Sequence, residues 1–412
     1  MINTEKLIAA SSLLVSTLET SEILPRAMEI IKGLLGCDAA SIMLLDPETQ
    51  NLIFEVALGE KSKALEKVTI PRGKGIAGEV ALSGEAKIIN DVQNYPGFDP
   101  SFDKNTGFET KGILCVPLKL KNSVLGIAQA INPTDKKHFD EEDLFSLTLF
   151  ANQVALALEA SRMHKNILLQ KSLEKELSLA RTIQESFLPK VFPANPAFEV
   201  FAKTLPARQV GGDFYSVFDL GNNRFGFAIG DVSGKGVAAA IFMARILSDL
   251  EVTARDEKNL ASPAAVITAL NHTLFTRKNT NMFVTLLFAV LDTNLKKISL
   301  ASAGHPYPYL LKPDNNWQEI KTLNGLPAGI AKDARYGDLT VKVEKDDLFF
   351  CFTDALSEMP GKEKKSFIPT DLACIQNHSG NLEESGEDVF TALKSFSPAA
   401  YDDATLLLLK IK

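Results

Sequence analysis

Five aspartates in the second half of the chain could do chemistry together. Asp213 follows Gly211 and Gly212 at the start of an apolar run, and Asp231 closes the run FGFAIGDV and opens a glycine-rich turn. Asp354 ends LFFCFTD, and Asp402 and Asp403 stand directly before the last apolar run, ATLLLLKIK. Taken singly, an aspartate at a strand end is an ordinary turn residue. A carboxylate beside a core is costly unless it is paired or coordinated, and Lys235 is the only cation near them in sequence. Hard divalent cations such as Mg²⁺ or Mn²⁺ take oxygen ligands and keep waters, so several aspartates plus backbone carbonyls suit a two-metal site. Such a site activates water and clamps a phosphoryl group.

The glycines around Asp231 invite a different reading, as a phosphate cradle, and their spacing rejects it. A Walker loop needs G-x4-G-K-[ST]; Ile229 occupies the first glycine position and Gly236 the Ser/Thr position. Gly230, Gly234 and Gly236 are also wrongly spaced for G-x-G-x-x-G. Upstream, GGDFY is similar to the GGDEF signature of diguanylate cyclases, but Phe214 stands where that pattern requires an acid.

The elements that would position these residues follow from periodicity. FGFAIGDV, MFVTLLFAVLD, KKISLASAG, DLFFCFTD and the final ATLLLLKIK are short, β-branched or aromatic, and read as strands. GVAAAIFMARILSDLEVTAR and SPAAVITALNHTLFT read as helices, the second with a Ser-Pro cap. An α+β layered domain follows for residues 191–412. Residues 1–160 alternate helix and strand: AASIMLLD and NLIFEVALG flank one turn, and GILCVPLKL and VLGIAQAIN form a hairpin. FDEEDLFSLTLFANQVALALEAS is a long helix with acids in its first turn. It continues without Pro or Gly to Phe187, where Leu169, Leu173, Leu177, Ala180, Ile183 and Phe187 mark a short coiled-coil seam. Residues 161–190 therefore read as a helical connector that makes a homodimer, and Pro189, Pro193 and Pro196 mark its end.

Bulk properties bound the class. The chain has 412 residues, 45% hydrophobic and 23% charged, with net charge -7, which argues for two or three soluble domains and against nucleic acid as a partner. Cys37, Cys115, Cys351 and Cys374 form no CxxC pair, consistent with a reducing cytoplasm. Leu7, Leu14 and Leu18 belong to an amphipathic helix rather than a signal peptide, and no run of apolar residues is expected to span a membrane.

Eight blocks in order, ARTIQESFLP, GGDFYSVF, IGDVSGKGVAAA, MFVTLLFAVLD, ASAGHPYPYLL, GLPAGI, FFCFTDALSE and DDATLLLL, resemble the SpoIIE-like branch of the metal-dependent protein phosphatase 2C superfamily, which includes RsbU-type phosphatases. The resemblance implies an αββα sandwich with two Mn²⁺ or Mg²⁺ ions, and removal of phosphate from Ser or Thr, typically on STAS-domain antagonists of anti-sigma factors. It implies that Asp231 bridges the metals, with the Val232 carbonyl as a further ligand, and that Asp213 holds them directly or through water. Asp354 and the Asp402-Asp403 pair would complete one shell, Asp402 being the better match. Lys235, Gly234 and His305 become candidate substrate contacts. Ala355 replaces the glycine of the usual Thr-Asp-Gly, and Ser216 stands where an Asp is common, which leaves open a weakly active or non-catalytic binding module. The first half is similar to a GAF domain, a sensor of an unknown small molecule or protein. Asn132, Phe139 and Asp143 match part of the cyclic-nucleotide set, with Pro133 and Leu144 departing from it.

Overall fold

The computed structural model describes residues 20–59, 68–121, 123–259, 262–276, 281–358, 381–396 and 402–412. The helix expected around Leu7, Leu14 and Leu18, and Cys374, lie outside them. The chain divides into two compact units, Met1–Ser172 and Leu173–Lys412.

In the first unit the order is α1 (Thr20–Leu35), β1 (Cys37–Leu45), β2 (Leu52–Leu58), β3 (Thr69–Ile70), α2 (Gly75–Ser83), β4 (Lys87–Ile89), α3 (Ser101–Thr106), β5 (Ile113–Leu120), β6 (Ser123–Pro133) and the start of α4 (Glu141–Phe187). The strands form one sheet in the order β3-β2-β1-β6-β5-β4. Alternation along the strands sends Ile42, Leu114, Val116 and Ala128 to one face, against α1 and Leu147, Phe150 and Val154 of α4. Met43, Cys115 and Ile127 go to the other, against Ile76 and Val80 of α2. The start of α4 is fixed by a reciprocal cap. Asp140 Oδ1 accepts from the N–H groups of Glu142 and Asp143 at 3.0 and 3.1 Å, while Asp143 Oδ2 accepts from Asp140 N–H at 3.0 Å.

The second unit holds the end of α4, then β7 (Phe198–Leu205), β8 (Phe214–Gly221), β9 (Arg224–Val232), α5 (Val237–Arg255), α6 (Pro263–Thr276), β10 (Val284–Asp292) and β11 (Lys297–Ala303). There follow β12 (Tyr309–Leu311), β13 (Trp317–Glu319), β14 (Asn324–Gly325), β15 (Leu339–Lys342), β16 (Leu348–Phe352), α7 (Ala355–Glu358), α8 (Leu382–Phe396) and β17 (Ala404–Ile411). Two sheets form, β14-β11-β10-β9-β8 with β15 on β11, and β13-β12-β16-β17-β7. Phe225, Phe227, Ile229 and Leu287 of the first meet Phe349, Cys351, Leu407 and Leu409 of the second in a shared core. α5 and α6 cover the outer face of the first sheet, and α8 covers that of the second. This is the expected αββα sandwich. β17 is buried along its whole length because it lies between β16 and β7 and faces a core on both sides, which explains its unbroken apolar run.

One expectation needs correction. α4 contains a stretch long and apolar enough to cross a bilayer by length and composition alone, although half of that stretch is buried inside the protein. The apolar face that packs on the first unit's sheet accounts for it.

Candidate active site

The five aspartates gather at one end of the sandwich because strand pairing brings them there. Phe214 pairs with Gly230, so Asp213, just before β8, and Asp231, near the end of β9, occupy neighbouring ends of one strand pair. On the other sheet Phe352 pairs with Leu406, and Thr353 N–H donates to the Thr405 carbonyl at 3.1 Å. Asp354 and the Asp402-Asp403 pair therefore leave that sheet side by side. The two ends are tied together: Asp403 accepts from Gly212 N–H at 3.0 Å and from Ala207 N–H at 2.8 Å.

The charges register this convergence. Asp213 is 3% exposed, and burial together with the charge of Asp231 raises its carboxyl well above the usual range, against hydrogen bonds from Thr405 and Thr353. Asp231 is pushed up to about 7 by burial and then by the charge of Asp354, with Asp402 and Asp403 adding to it and a hydrogen bond with Asp213 opposing. Asp231 thus interacts with all four of the other aspartates.

The glycines divide into two kinds. Gly234 and Gly236 take φ of 95° and 76°, in the region that favours glycine, and turn the chain from β9 into α5. Gly230 instead makes room: a Cβ there would lie 2.6 Å from both Phe214 Cζ and the Thr285 carbonyl oxygen. Gly212 is packed against the acids. Its Cβ would fall 2.7 Å from the Val232 carbonyl oxygen and 3.2 Å from Asp231 Oδ1. That cradle, made of carboxylate and carbonyl oxygens, is the donor chemistry a hard divalent cation takes. Among the described residues no three His, Cys, Asp or Glu side chains are gathered into a ready-made metal site, so carbonyls and water would have to complete any shell.

The other candidates fall into different roles. Both oxygens of Asp403 are engaged by backbone N–H groups, which makes it a brace for the 207–212 loop. Asp402 is half-exposed and pairs with Lys235 at 2.8 Å, so Lys235 is already engaged. His305 is 1% exposed, its Nδ1 lies 3.1 Å from Thr285 Oγ1, and burial pushes its pKa down to about 3, opposed by the Phe352 backbone. It is neutral at ordinary pH and contacts Thr285 of β10, the register partner of Asp231. Ala355 and Asp354 are absent from the residues of positive φ, and Ala355 is buried at the start of α7 against Leu356 and Phe352. The replacement of glycine therefore introduces no backbone strain.

Sequence reading passed over several residues that hold this end together. Thr353 and Thr405 each donate to Asp213 Oδ2, at 2.8 and 2.7 Å, and Thr204 lies 2.8 Å from Thr405. Gln184, in the last turns of α4, grips Gly211 on both sides: Nε2 donates to the carbonyl at 2.7 Å and Oε1 accepts from N–H at 3.2 Å. The threonines alternate with apolar strand residues and look like strand formers in sequence. Gln184 lies inside a block already tied to the family, but without a partner.

In the first unit a cavity of about 480 Å³ lies beside α2 and α3. Phe54, Phe98, Phe102 and Phe108 line it, with Ser41 and Gln129 among its polar groups. Ser41 Oγ donates to Gln129 Oε1 at 3.3 Å. Among the described lining residues Lys74 is the single cation; it is largely exposed and lies 3.6 Å from Asp99. Asn132 and Asp143 tie loops rather than face a ligand. Asn132 Oδ1 accepts from Lys111 and Gly112 N–H at 2.7 and 3.2 Å, Asp143 pairs with Lys136 at 2.6 Å, and Phe139 is core. Burial pushes the Cys37 and Cys115 thiols up to about 11 and about 12, which fits apolar packing rather than reactivity.

Comparison with known proteins agrees with this division. Residues 221–412 match the family model described as stage II sporulation protein E, and residues 19–158 match the GAF domain. The chain is 27% identical over 278 residues to the phosphoserine phosphatase RsbU of Bacillus subtilis (strain 168), which covers 66% of this chain and 81% of that protein. Protein IcfG of Synechocystis sp. is 28% identical over 216 residues, 47% of this chain and 34% of IcfG. Among solved structures, the SiaA-PP2C domain of Pseudomonas aeruginosa covers 59% of this chain and 99% of its own, with 19% identity and a TM-score of 0.52, a likeness of fold. The second unit is thus a SpoIIE-type domain of the protein phosphatase 2C class. The chain thus joins a GAF domain to a SpoIIE-type domain similar to serine/threonine phosphatases of the RsbU type, which are metal-dependent.

Proposed function

We propose that this chain is a cytoplasmic, sensor-regulated phosphatase that hydrolyses phosphoserine or phosphothreonine on a partner protein, of the STAS-domain anti-sigma factor antagonist type. The observation that carries the chemistry is the convergence of the five aspartates at one end of the two sheets, with Asp213 buried and Asp403 tied to Gly212. Asp213, Asp231, the Val232 carbonyl, Asp354 and Asp402 would hold two Mn²⁺ or Mg²⁺ ions. When bound, such ions lower the pKa of a water and neutralise phosphoryl oxygens. Gly212 keeps the space beside Val232 open, Asp403 braces the loop that carries Asp213, and the Asp402–Lys235 pair stands at the exposed rim. Lys235 is half-exposed, so it can swing from Asp402 toward an arriving phosphate.

Gln184 supports the regulatory half of the reading. It joins the last turns of α4 to Gly211, two residues from Asp213, so a shift of α4 moves the loop that carries a metal-site carboxylate. Among the described residues the GAF cavity is aromatic and its lining holds one cation, Lys74, which supports a neutral apolar small molecule over a cyclic nucleotide. The connector, residues 161–190, supports a homodimer. Met163, Ile167, Leu169, Leu173, Ile183 and Phe187 are all exposed, and exposed Phe145, Leu149 and Leu156 extend the stripe upstream at spacings of four and seven. The rival reading, a weakly active or non-catalytic binding module, draws on Ala355 and Ser216; of these, Ala355 has no positive φ. The test is hydrolysis of a phosphoserine peptide with Mn²⁺ present. Asp231→Asn should abolish it, and unchanged turnover would overturn the assignment.

A further inference from the structure

Asp213 is held from the opposite sheet by hydroxyl groups whose polarity is fixed. Thr353 Oγ1 accepts from Thr405 N–H at 2.9 Å, and its single proton goes to Asp213 Oδ2 at 2.8 Å. Thr405 Oγ1 gives its own proton to the same oxygen at 2.7 Å, so the 2.8 Å contact with Thr204 must have Thr204 as donor. Asp213, Thr353 and Thr405 are buried; the ladder sets Thr405 opposite Thr204 on β7, and Thr353 follows directly on β16. Two donors fill the lone pairs of Oδ2, so Oδ1 is the oxygen a cation would engage in place of the hydrogen bond with Asp231.

We propose that Thr353 and Thr405, with Thr204 behind Thr405, are positioning residues that present Asp213 to the divalent cation through one oxygen in one orientation. This rests on the metal-site reading above. Asp213 stands at the start of a strand in one sheet and the threonines in the other, so the network also fixes the separation of the sheets at the carboxylate end. Outer hydrogen-bond partners of ligating groups change metal affinity by about 10- to 100-fold when removed.

The experiment is calorimetric titration of Mn²⁺ into the full chain, with the metal-free melting temperature recorded for each variant. Thr405→Val should weaken Mn²⁺ binding by about 10-fold or more, and Thr405→Ser, which keeps the hydroxyl, should restore it. Thr204→Val, one step removed from the carboxylate, should shift affinity in the same direction by less, and it gives the answer if Thr405→Val lowers the metal-free melting temperature too far to be titrated. Asp231→Asn serves as the reference. If it abolishes binding while Thr405→Val and Thr204→Val bind as the parent does, the positioning role is overturned and the metal site stands. If Asp231→Asn also binds as the parent does, the metal-site reading falls and takes this proposal with it.

Discussion

The two candidate sites are opposites in the same chain. Among the described residues the GAF cavity is lined by four phenylalanines, Ser41 is bonded to Gln129, and the one lining cation, Lys74, sits largely in solvent beside Asp99. The aspartate end of the phosphatase unit brings five carboxylates from the ends of two sheets toward one another, and two of them, Asp213 and Asp231, are raised above their ordinary titration range. An apolar cavity gains by excluding water from an apolar guest. A cluster of buried like charges is costly until a cation or a proton joins it. On the proposed reading, the first site takes an uncharged molecule and the second takes divalent cations.

That contrast can be broken most sharply at Asp231. Asp231→Asn should reduce phosphoserine-peptide turnover by at least about a thousandfold, while raising the melting temperature of the metal-free protein, because one repelling carboxylate is gone. Reduced metal-free stability would contradict the charge argument. Gly212→Ala comes next. A methyl group 2.7 Å from the Val232 carbonyl oxygen must displace the cradle, and turnover should fall by about a hundredfold, roughly the loss of one transition-state contact.

The pH dependence of the metal-free protein sharpens the same comparison. Asp231 titrates at about 7 in the folded chain, above the ordinary carboxylate value of about 4 in the unfolded one. A raised folded pKa gives stability that is fully present below the unfolded value and lost as pH rises through the folded one. Melting in the presence of chelator should therefore occur at lower temperature at pH 8 than at pH 5.5, and the rise on adding Mn²⁺ should be larger at pH 8. Equal metal-free melting at both pH values would remove the electrostatic distinction between the two sites. For the GAF unit, indole should perturb cavity resonances in NMR spectra of the full chain and cyclic AMP should not; the reverse would make the cavity an anion site. The smallest effect is at the rim. The Lys235–Asp402 pair is half-exposed, and such pairs contribute about 1 kcal/mol or less, so Lys235→Ala should leave the melting temperature nearly unchanged. A KM raised more than kcat is lowered would place Lys235 against substrate.

Much of this was legible in the sequence. The α+β layering followed from short β-rich runs and two helical windows, the αββα sandwich was implied by the SpoIIE-like resemblance, and the aspartates stood out because each lies at the end of an apolar run. What stayed hidden depended on pairing register. Asp402 and Asp403 are adjacent in sequence, yet one faces the rim and the other has both oxygens held by backbone N–H groups 191 and 196 residues away. Thr353 and Thr405 read as strand residues because their chemistry appears only when β16 and β17 pair. Ala355 looked like a damaged glycine, and only the backbone angles show that no left-handed conformation is needed there. The apolar stretch of α4 was read as connector and core, and its exposed stripe from Phe145 became visible only once the buried face was known.

The most direct test of the central claim is an anomalous difference map from crystals grown or soaked with Mn²⁺, collected near the manganese absorption edge. The account predicts two peaks in the corner formed by Asp213, Asp231, the Val232 carbonyl, Asp354 and Asp402. A fully occupied lattice of Mn²⁺-soaked protein with no peak beside Asp231, or with peaks only at surface carboxylates elsewhere, would contradict it.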